Sequence, residues 1–301
     1  MADSPSSPSA GIDGYGWPIA ESSEQELQIL TRHLARIDLA DLALTQIAVG
    51  QEHAVFTSER EDLTDMVVKI TRPGGYGILM EANPDGKMIG WRRGTAREYL
   101  QRITRQNRVF ADTVELLGWT PQRSDTGANW PSITSAQRFR AGSPPTATEI
   151  RDLMTSLDFI QVPAVAVSLA YLRDHVFYSS AHNILVSDCR SANFVKGPEG
   201  LAVIDVIVQR PVAALRHLLR QLLRLRLESV RVASELESLC REFPVGRNRT
   251  VRASRFIEDL GGEGPTLTAL RIAAIKYARG ESGHDLMRHL EAHAEASAGR
   301  G

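Results

Sequence analysis

The spacing of apolar residues changes period several times along the chain. After residue 22, Leu27, Leu30, Leu34 and Ile37 recur at helical intervals behind Ser22 or Ser23 as N-cap, which predicts an amphipathic helix. Runs rich in Val, Ile, Phe and Thr follow at 42–49, 54–58 and 66–71, separated by Gly50-Gln51-Glu52 and by a charged turn at 59–62; these read as strands. A Gly/Pro-rich loop, 73–94, leads into a second helix from Thr95 to about Asn107, and further strands are expected at 116–120 and 132–137. Gly142-Ser143-Pro144-Pro145 reads as a connector. Thr146 and Glu149 form a capping box for a third helix with Ile150, Leu153, Met154 and Leu157 on one side. Short strands return at 176–178, 183–186, 194–196 and 202–204, with 196–200 as a hairpin turn. From Pro211 onward the pattern is helical, with breaks at 244–248 and 261–265. Strands, then a connector, then a mainly helical half: this order predicts a two-lobed α+β protein rather than a doubly wound sheet. The expected division is a disordered lead-in at 1–22, an N-lobe with an extra helix at 23–142, a catalytic part at 143–211 and a helical completion at 212–301.

Composition narrows the classes of function. The 301 residues carry a formal net charge of −1. Neither a nucleic acid nor an anionic membrane is therefore expected as a partner. Two cysteines, Cys189 and Cys240, exclude a disulfide-built scaffold and a cysteine zinc site. No apolar run reaches the ~20 residues of a membrane-spanning helix, and the start of the chain lacks the basic and apolar parts of a secretory signal. A soluble, cytoplasmic protein is expected. Among the histidines only His289 and His293 have a helical i, i+4 spacing, in an Ala/Glu-rich stretch that reads as solvent-facing.

Three segments carry candidate chemistry. Of 35 basic residues only Lys69, Lys87, Lys196 and Lys276 are lysine. A chain that uses Arg wherever it needs charge has placed one Lys in the apolar strand Met66-Val67-Val68-Lys69-Ile70. A compact ammonium there suits a phosphate better than a rigid guanidinium fork, although a Lys snorkelling from a strand edge gives the same pattern. Asp188 and Asn193 stand five apart in a polar loop between strands. There a carboxylate could take a hydroxyl proton and an amide oxygen could hold a hard cation; an ordinary polar turn has the same composition. Asp205 sits within seven apolar residues, Leu201 to Val208, where an ionised acid calls for a cationic partner, metal or lysine, unless it caps the next turn.

The order of these elements resembles the protein-kinase superfamily: a glycine turn, a third-strand Lys, a helical Glu, Asp-x-x-x-x-Asn, then an Asp on a following strand. More narrowly the chain is similar to the Ser/Thr/Tyr kinase domains of bacterial and phage polyvalent proteins. The segments that carry this are 50–56, Val67-Val68-Lys69, Glu98-Tyr99-Leu100-Gln101-Arg102, 107–110, 137–142 with the helix after it, Asp188-x-Arg190-x-x-Asn193-Phe194-Val195 and Ile204-Asp205-Val206-Ile207. The resemblance covers about residues 40–211. It implies a kinase-like fold with a small antiparallel-sheet N-lobe, a mainly helical C-lobe and a short activation segment. It implies an ATP- and Mg²⁺-dependent phosphotransferase acting on a hydroxyl acceptor, a protein side chain or a small molecule. Lys69 would bind the α- and β-phosphates under the glycine turn at Gly50, and Glu98 would be its ion-pair partner, with Glu81 and Glu115 as rivals. Asp188 would deprotonate the acceptor, and Asn193 and Asp205 would hold Mg²⁺. Gln137 to Phe139 would offer backbone groups to adenine. Arg190 would steady the transferred phosphoryl group or tie its own loop together.

The sequence also departs from that series. The turn Ala48-x-Gly50-x-x-His53-x-Val55 keeps one of three glycines, and Val206-Ile207 replaces the Phe-Gly after the metal-binding Asp. Asp205 to Pro211 leaves no room for a long activation segment. A nucleotide-binding or scaffolding module without transfer is the alternative. In the helical part, Leu215, Leu218, Leu219, Leu222, Leu223, Leu225 and Leu227 face away from Arg216, Arg220 and Arg224. This reads as a core-packing helix with a solvated Arg face rather than a nucleic-acid-binding one.

Overall fold

The computed structural model describes residues 23–124, 127, 129–242, 247–259 and 265–280; the lead-in at 1–22, residues 244–246 and 261–264 of the two expected helix breaks, and the His289/His293 pair lie outside them, while residues 247, 248 and 265 are already helical. The elements run α1 (Ser23–His33), β1 (Leu44–Val49), β2 (His53–Ser58), β3 (Met66–Thr71), β4 (Ile78–Ala82), β5 (Ile89–Arg93), α2 (Ala96–Phe110), β6 (Val114–Arg123) and β7 (Asn129–Arg138). They continue with α3 (Ala147–Ser156), β8 (Ile160–Gln161), β9 (Phe177–Ser179), β10 (Ile184–Ser187), β11 (Phe194–Gly197), β12 (Gly200–Val203), β13 (Ile207–Gln209), α4 (Ala213–Glu242), α5 (Arg247–Asp259) and α6 (Pro265–Ala278). The fold is α+β with antiparallel strands. The described residues form two compact units: one within 23–81, 90–159 and 175–211, the other within 82–89, 160–174 and 212–280.

The first unit is built on a five-stranded sheet in the order β1-β2-β3-β7-β6. Its central strands separate two apolar clusters. On one face α1 and α2 bring Leu30, Tyr99 and Ile103 against Trp119 and Ile133; on the other, Leu42 and Leu63 cover Val68, Ile70 and Ala136. Because side chains alternate across a strand, burying Val68 and Ile70 on the second face sends Lys69 to the face that α2 covers. Register agrees, since Lys69 lies opposite Ser135, two residues from Ile133. The helix α2 starts at a full capping box between Thr95 and Glu98 and buries Ala96, Tyr99, Arg102, Ile103 and Gln106. Beyond the sheet, β13-β10-β9 and the hairpin β11-β12 share a core of Met154, Phe177, Val186, Phe194, Val203 and Val208.

In the second unit α4, α5 and α6 meet through Val232, Leu236, Ala253, Ile257, Ala273, Ala274 and Ala278. The Leu face expected on α4 is buried at Leu215, Leu218, Leu219, Leu222 and Leu223, while Arg220 is exposed and Arg216 half-buried. The side chains of Arg224, Leu225 and Leu227 lie outside the described residues. No helix among the described residues is long and apolar enough to cross a membrane.

Sequence and structure differ in three places. The loop expected at 73–94 contains the hairpin β4-β5, whose five-residue strands are hidden among Gly74, Gly75, Gly77, Pro84 and Gly86. The strands β6 and β7 extend beyond 116–120 and 132–137, past the facing pair Pro121 and Pro131, residues that cannot donate to a ladder. The three-residue β13 is short enough to pass for the end of an apolar run.

The outer edge of β6 is covered by residues 35–37, where Trp119 donates to Ala35 O at 3.0 Å and Ile37 donates to Trp119 O at 3.0 Å. Gly118 permits this approach: a Cβ there would lie 2.6 Å from Ala35 O and 2.7 Å from Ile37 Cγ2. Gly118→Val is expected to destabilise the protein by about 1–3 kcal/mol. The measurement is urea unfolding, with a lower midpoint and an unchanged m-value as the expected result.

Candidate functional site

The loop between β12 and β13 is held at successive backbone groups by polar residues from other elements. Gln137 Nε2 donates to Val203 O at 3.0 Å, Lys69 Nζ donates to Ile204 O, and Arg102 Nε donates to Val206 O at 3.1 Å. From below, the backbone oxygen of Asn193 accepts the N–H groups of Ile204 and Asp205 at 2.9 and 3.3 Å. The carboxylate of Asp205 is thus carried on a segment fixed from the sheet, from α2 and from the 188–193 loop. Ordinary loop mobility is removed by partners that are themselves buried or on strands.

Arg102 sits at the centre. Its side chain is 5% exposed and divides its guanidinium between two acids, Glu52 Oε1 at 2.5 Å and Asp205 Oδ1 at 3.0 Å. Its Nε donates to the Val206 carbonyl, and its Cζ lies 5.7 Å from the Tyr99 ring centroid. His53, the first residue of β2, adds a second contact to each acid: Nε2 is 3.3 Å from Glu52 Oε1 and Nδ1 is 3.7 Å from Asp205 Oδ2. Nε2 also shares a 2.8 Å hydrogen bond with Tyr99 Oη. Burial pushes the Asp205 carboxyl up, but the charges of Lys69, His53 and Arg102 outweigh it and hold the group far below the usual carboxylate range. Burial likewise works against a charged Arg102, and Glu52 and Asp205 reverse that, so it stays protonated. The Asp205 side chain retains 38% exposure, so one side of a fully ionised acid still faces outward.

The second acid, Asp188, follows β10 directly, with φ at 61°, a left-handed conformation that Asp tolerates better than most residues. Arg190 forks onto it, Nε to Oδ1 and a terminal nitrogen to Oδ2 at 3.1 Å. Asn193 Nδ2 donates to Asp188 O at 2.7 Å. One asparagine therefore ties the Asp188 turn to the Asp205 segment, with its side chain on the first and its backbone oxygen on the second. Asp205 and Asn193 carry hard oxygen atoms on adjoining loops, the type of donor that a magnesium would take. A magnesium bound mainly through substrate phosphates asks one or two such groups of the protein. Among the described residues no three His, Cys, Asp or Glu are grouped to hold a metal by themselves.

Several expected residues take other partners. Glu98 is not beside Lys69. Its carboxylate caps α2 through Thr95 N at 3.0 Å and pairs with Arg92 at 2.5 Å. Burial raises it, and Arg92 together with the cap more than compensate, leaving it below its ordinary value. The reason is local: a Glu three residues after a Thr N-cap is held by the helix end and points away from the sheet. The rival Glu81 also faces Arg92, at 3.5 Å. Gln137 meets Lys69 with its side chain, at 3.0 Å. Its backbone lies on a central strand between Val67 and Val114, committed to the ladder rather than to adenine. The N–H of Phe139 is likewise taken, by Asp65 O at 2.7 Å, while its ring stands exposed. Gly50 closes the β1–β2 turn, its N–H donating to His53 O at 2.7 Å. A Cβ there would meet only that oxygen, at 3.5 Å, so the turn itself does not demand glycine.

Glu52, His53, Arg102 and Asp112 were not singled out from the sequence. A signal existed for Arg102: it lies one turn after Glu98, between Tyr99 and Ile103 on the apolar side of α2, where an arginine needs a buried acid. Nothing local marks Glu52, which reads as a turn residue. No protein-family model matches this chain, and no curated protein matches it.

Removing Arg102 leaves two acids facing each other without their cation. Arg102→Met is expected to cost about 3–5 kcal/mol in chemical denaturation, against about 1 kcal/mol for Glu98→Ala, which loses a helix cap. For Asp205 the folded value is depressed. Its contribution is therefore complete above the unfolded carboxylate range, near pH 4, and fades as pH falls through the lower folded value. Wild type should exceed Asp205→Asn in stability most at neutral pH, with the gap narrowing on acidification; a pH series of urea midpoints measures it.

Proposed function

We propose that this chain is a cytoplasmic, kinase-like phosphotransferase that binds a magnesium nucleotide at Lys69, Asn193 and Asp205 and delivers its γ-phosphoryl group to a hydroxyl acceptor at Asp188. One observation carries the reading. The third-strand ammonium, the acid of the β12–β13 loop, which the sequence pattern had put on a strand, and the Asp-x-x-x-x-Asn loop meet through the single segment at residues 203–206. A sheet with its helix on Lys69's side, followed by a short catalytic hairpin, supports a kinase-like arrangement of these parts.

Phosphoryl transfer asks mainly for position and for cancelled charge, and these residues supply both. Lys69 exchanges the Ile204 carbonyl for phosphate oxygens, a stronger acceptor for an ammonium. Asp205 and Asn193 offer oxygen ligands to magnesium, which when bound neutralises charge on the phosphates. Asp188 accepts the proton of the acceptor hydroxyl while the new oxygen–phosphorus bond forms and the bond to the leaving diphosphate breaks. Arg190 holds that carboxylate in one orientation. The acceptor is an alcohol on a protein side chain or a small molecule.

A second reading has its own support: both acids are already neutralised inside the protein, Asp205 by Arg102 and Asp188 by Arg190. A module in which those pairs persist binds nucleotide without transferring phosphate. Thermal unfolding with millimolar ATP and Mg²⁺ separates the two. Ligand at about 100 times its Kd adds about 2.7 kcal/mol and raises Tm by several degrees. The shift is expected in wild type, reduced in Lys69→Ala and Asp205→Asn, and retained in Asp188→Asn, which alone of the binding-competent proteins loses radiolabelled phosphate transfer. No shift in wild type overturns both readings; a shift without transfer selects the second.

A further inference from the structure

Lys69 has no carboxylate of its own on α2, yet a lysine used on a phosphate has to be held, because its four-carbon stem carries about 2 kcal/mol of rotamer entropy. The group that meets it is an amide. Gln137 Oε1 accepts from Lys69 Nζ at 3.0 Å, and Gln137 Nε2 donates both its hydrogens, to Asp112 Oδ2 at 2.5 Å and to Val203 O at 3.0 Å. Gln137 is 3% exposed, so no water competes freely for these bonds. The amide has one orientation. Turned over, it would point Nε2 at an ammonium and Oε1 at a carboxylate and a carbonyl, three unfavourable contacts in place of three favourable ones. Asp112 is braced in turn: Gln106 Nε2 donates to the same oxygen at 3.1 Å and Thr113 N to the other at 2.9 Å.

We infer that Gln137, locked by Asp112, is the positioning residue of Lys69, taking the place of the helical glutamate that the sequence pattern leads one to expect. The chemical consequence follows from charge. A carboxylate in direct contact would cancel the ammonium and compete with an incoming phosphate for it. A neutral amide fixes the nitrogen without cancelling its charge, which is shared between Asp205, whose carboxyl it holds down, and the ligand, while Asp112 stands one side chain away. The functional part of this inference rests on the nucleotide reading above; the positioning part does not.

The four lysines make the test direct. Limited acetylation with acetic anhydride, read at each lysine by mass spectrometry, reports how firmly Lys69 is held, with Lys87, Lys196 and Lys276 as internal references. A hydrogen bond to a charged group is worth about 1.5–3 kcal/mol, so Gln137→Leu should speed Lys69 labelling by about tenfold and leave the other three unchanged. Asp112→Ala should do the same through the freed amide. Asp112→Asn, which keeps an acceptor oxygen for Gln137, should stay within about twofold of wild type. Unchanged Lys69 labelling in Gln137→Leu overturns the inference. If that variant unfolds and all four lysines label together, Asp112→Ala decides by the same criterion. Calorimetric titration with ADP and Mg²⁺ is the second readout, expected to weaken about tenfold in Gln137→Leu by the loss of that same bond. Absent ADP binding in wild type, with Lys69 labelling still responding, sinks the nucleotide reading and leaves the positioning role standing. Intact binding with no labelling response does the reverse.

Discussion

A single buried guanidinium joins parts of the first unit that are far apart in sequence. Arg102 on α2 holds Glu52 of the β1–β2 turn and both Asp205 and the carbonyl of Val206. Three chain segments separated by about fifty and a hundred residues are fixed relative to one another by one side chain. Such a pair is not in itself a large source of stability, since burying the charges costs much of what their attraction returns. What it does provide is specificity of arrangement. Any shift of the turn, the helix or the 203–206 segment strands a charge in a place that water reaches poorly.

That constraint explains why the acids of the site can be ionised within apolar surroundings. Asp205 lies in a run of Val and Ile that by composition disfavours charge, and the surrounding cations, Lys69 foremost, reverse the preference. The same balance gives the site its chemical character. Two cations and two acids, Lys69 and Arg102 with Glu52 and Asp205, nearly cancel, so the cluster is stable without ligand yet keeps polar groups able to exchange partners. In the proposed function, a phosphate oxygen would take the place of the Ile204 carbonyl on Lys69. The asparagine that ties Asp188 to Asp205 keeps the two acids in a fixed relation while partners exchange around them.

The elements are largely legible in the sequence, because their signals are local. Runs rich in Val, Ile, Phe and Thr placed β1, β2 and β3 to within two residues. Thr146 marked the start of α3 through its capping box and Thr95 that of α2, and the leucine periodicity of α4 matches the buried Leu215, Leu218, Leu219, Leu222 and Leu223. The failures were local as well: β4 and β5 lie in a stretch dense with Gly and Pro, and β6 and β7 run on past Pro121 and Pro131, residues that cannot donate to a ladder. Within the site, Lys69 stood out because a chain that otherwise uses arginine placed a lysine on a strand, and Asp205 because an acid interrupts an apolar run.

What the sequence by itself determined is therefore the set of elements, the alternation that turns Lys69 to one face of the sheet, and the presence of an acid that must find a cation. Which cation answers which acid was decided only by tertiary structure. Glu98, Arg102 and Gln137 are all polar residues near the expected place, and propensity treats them alike. The fold separates them by direction: the helix end claims Glu98, the buried side of α2 turns Arg102 inward, and the central strand sets the amide of Gln137 between Lys69 and Asp112. Partner choice depends on distances of a few ångströms between residues tens to a hundred positions apart, and no local pattern encodes those.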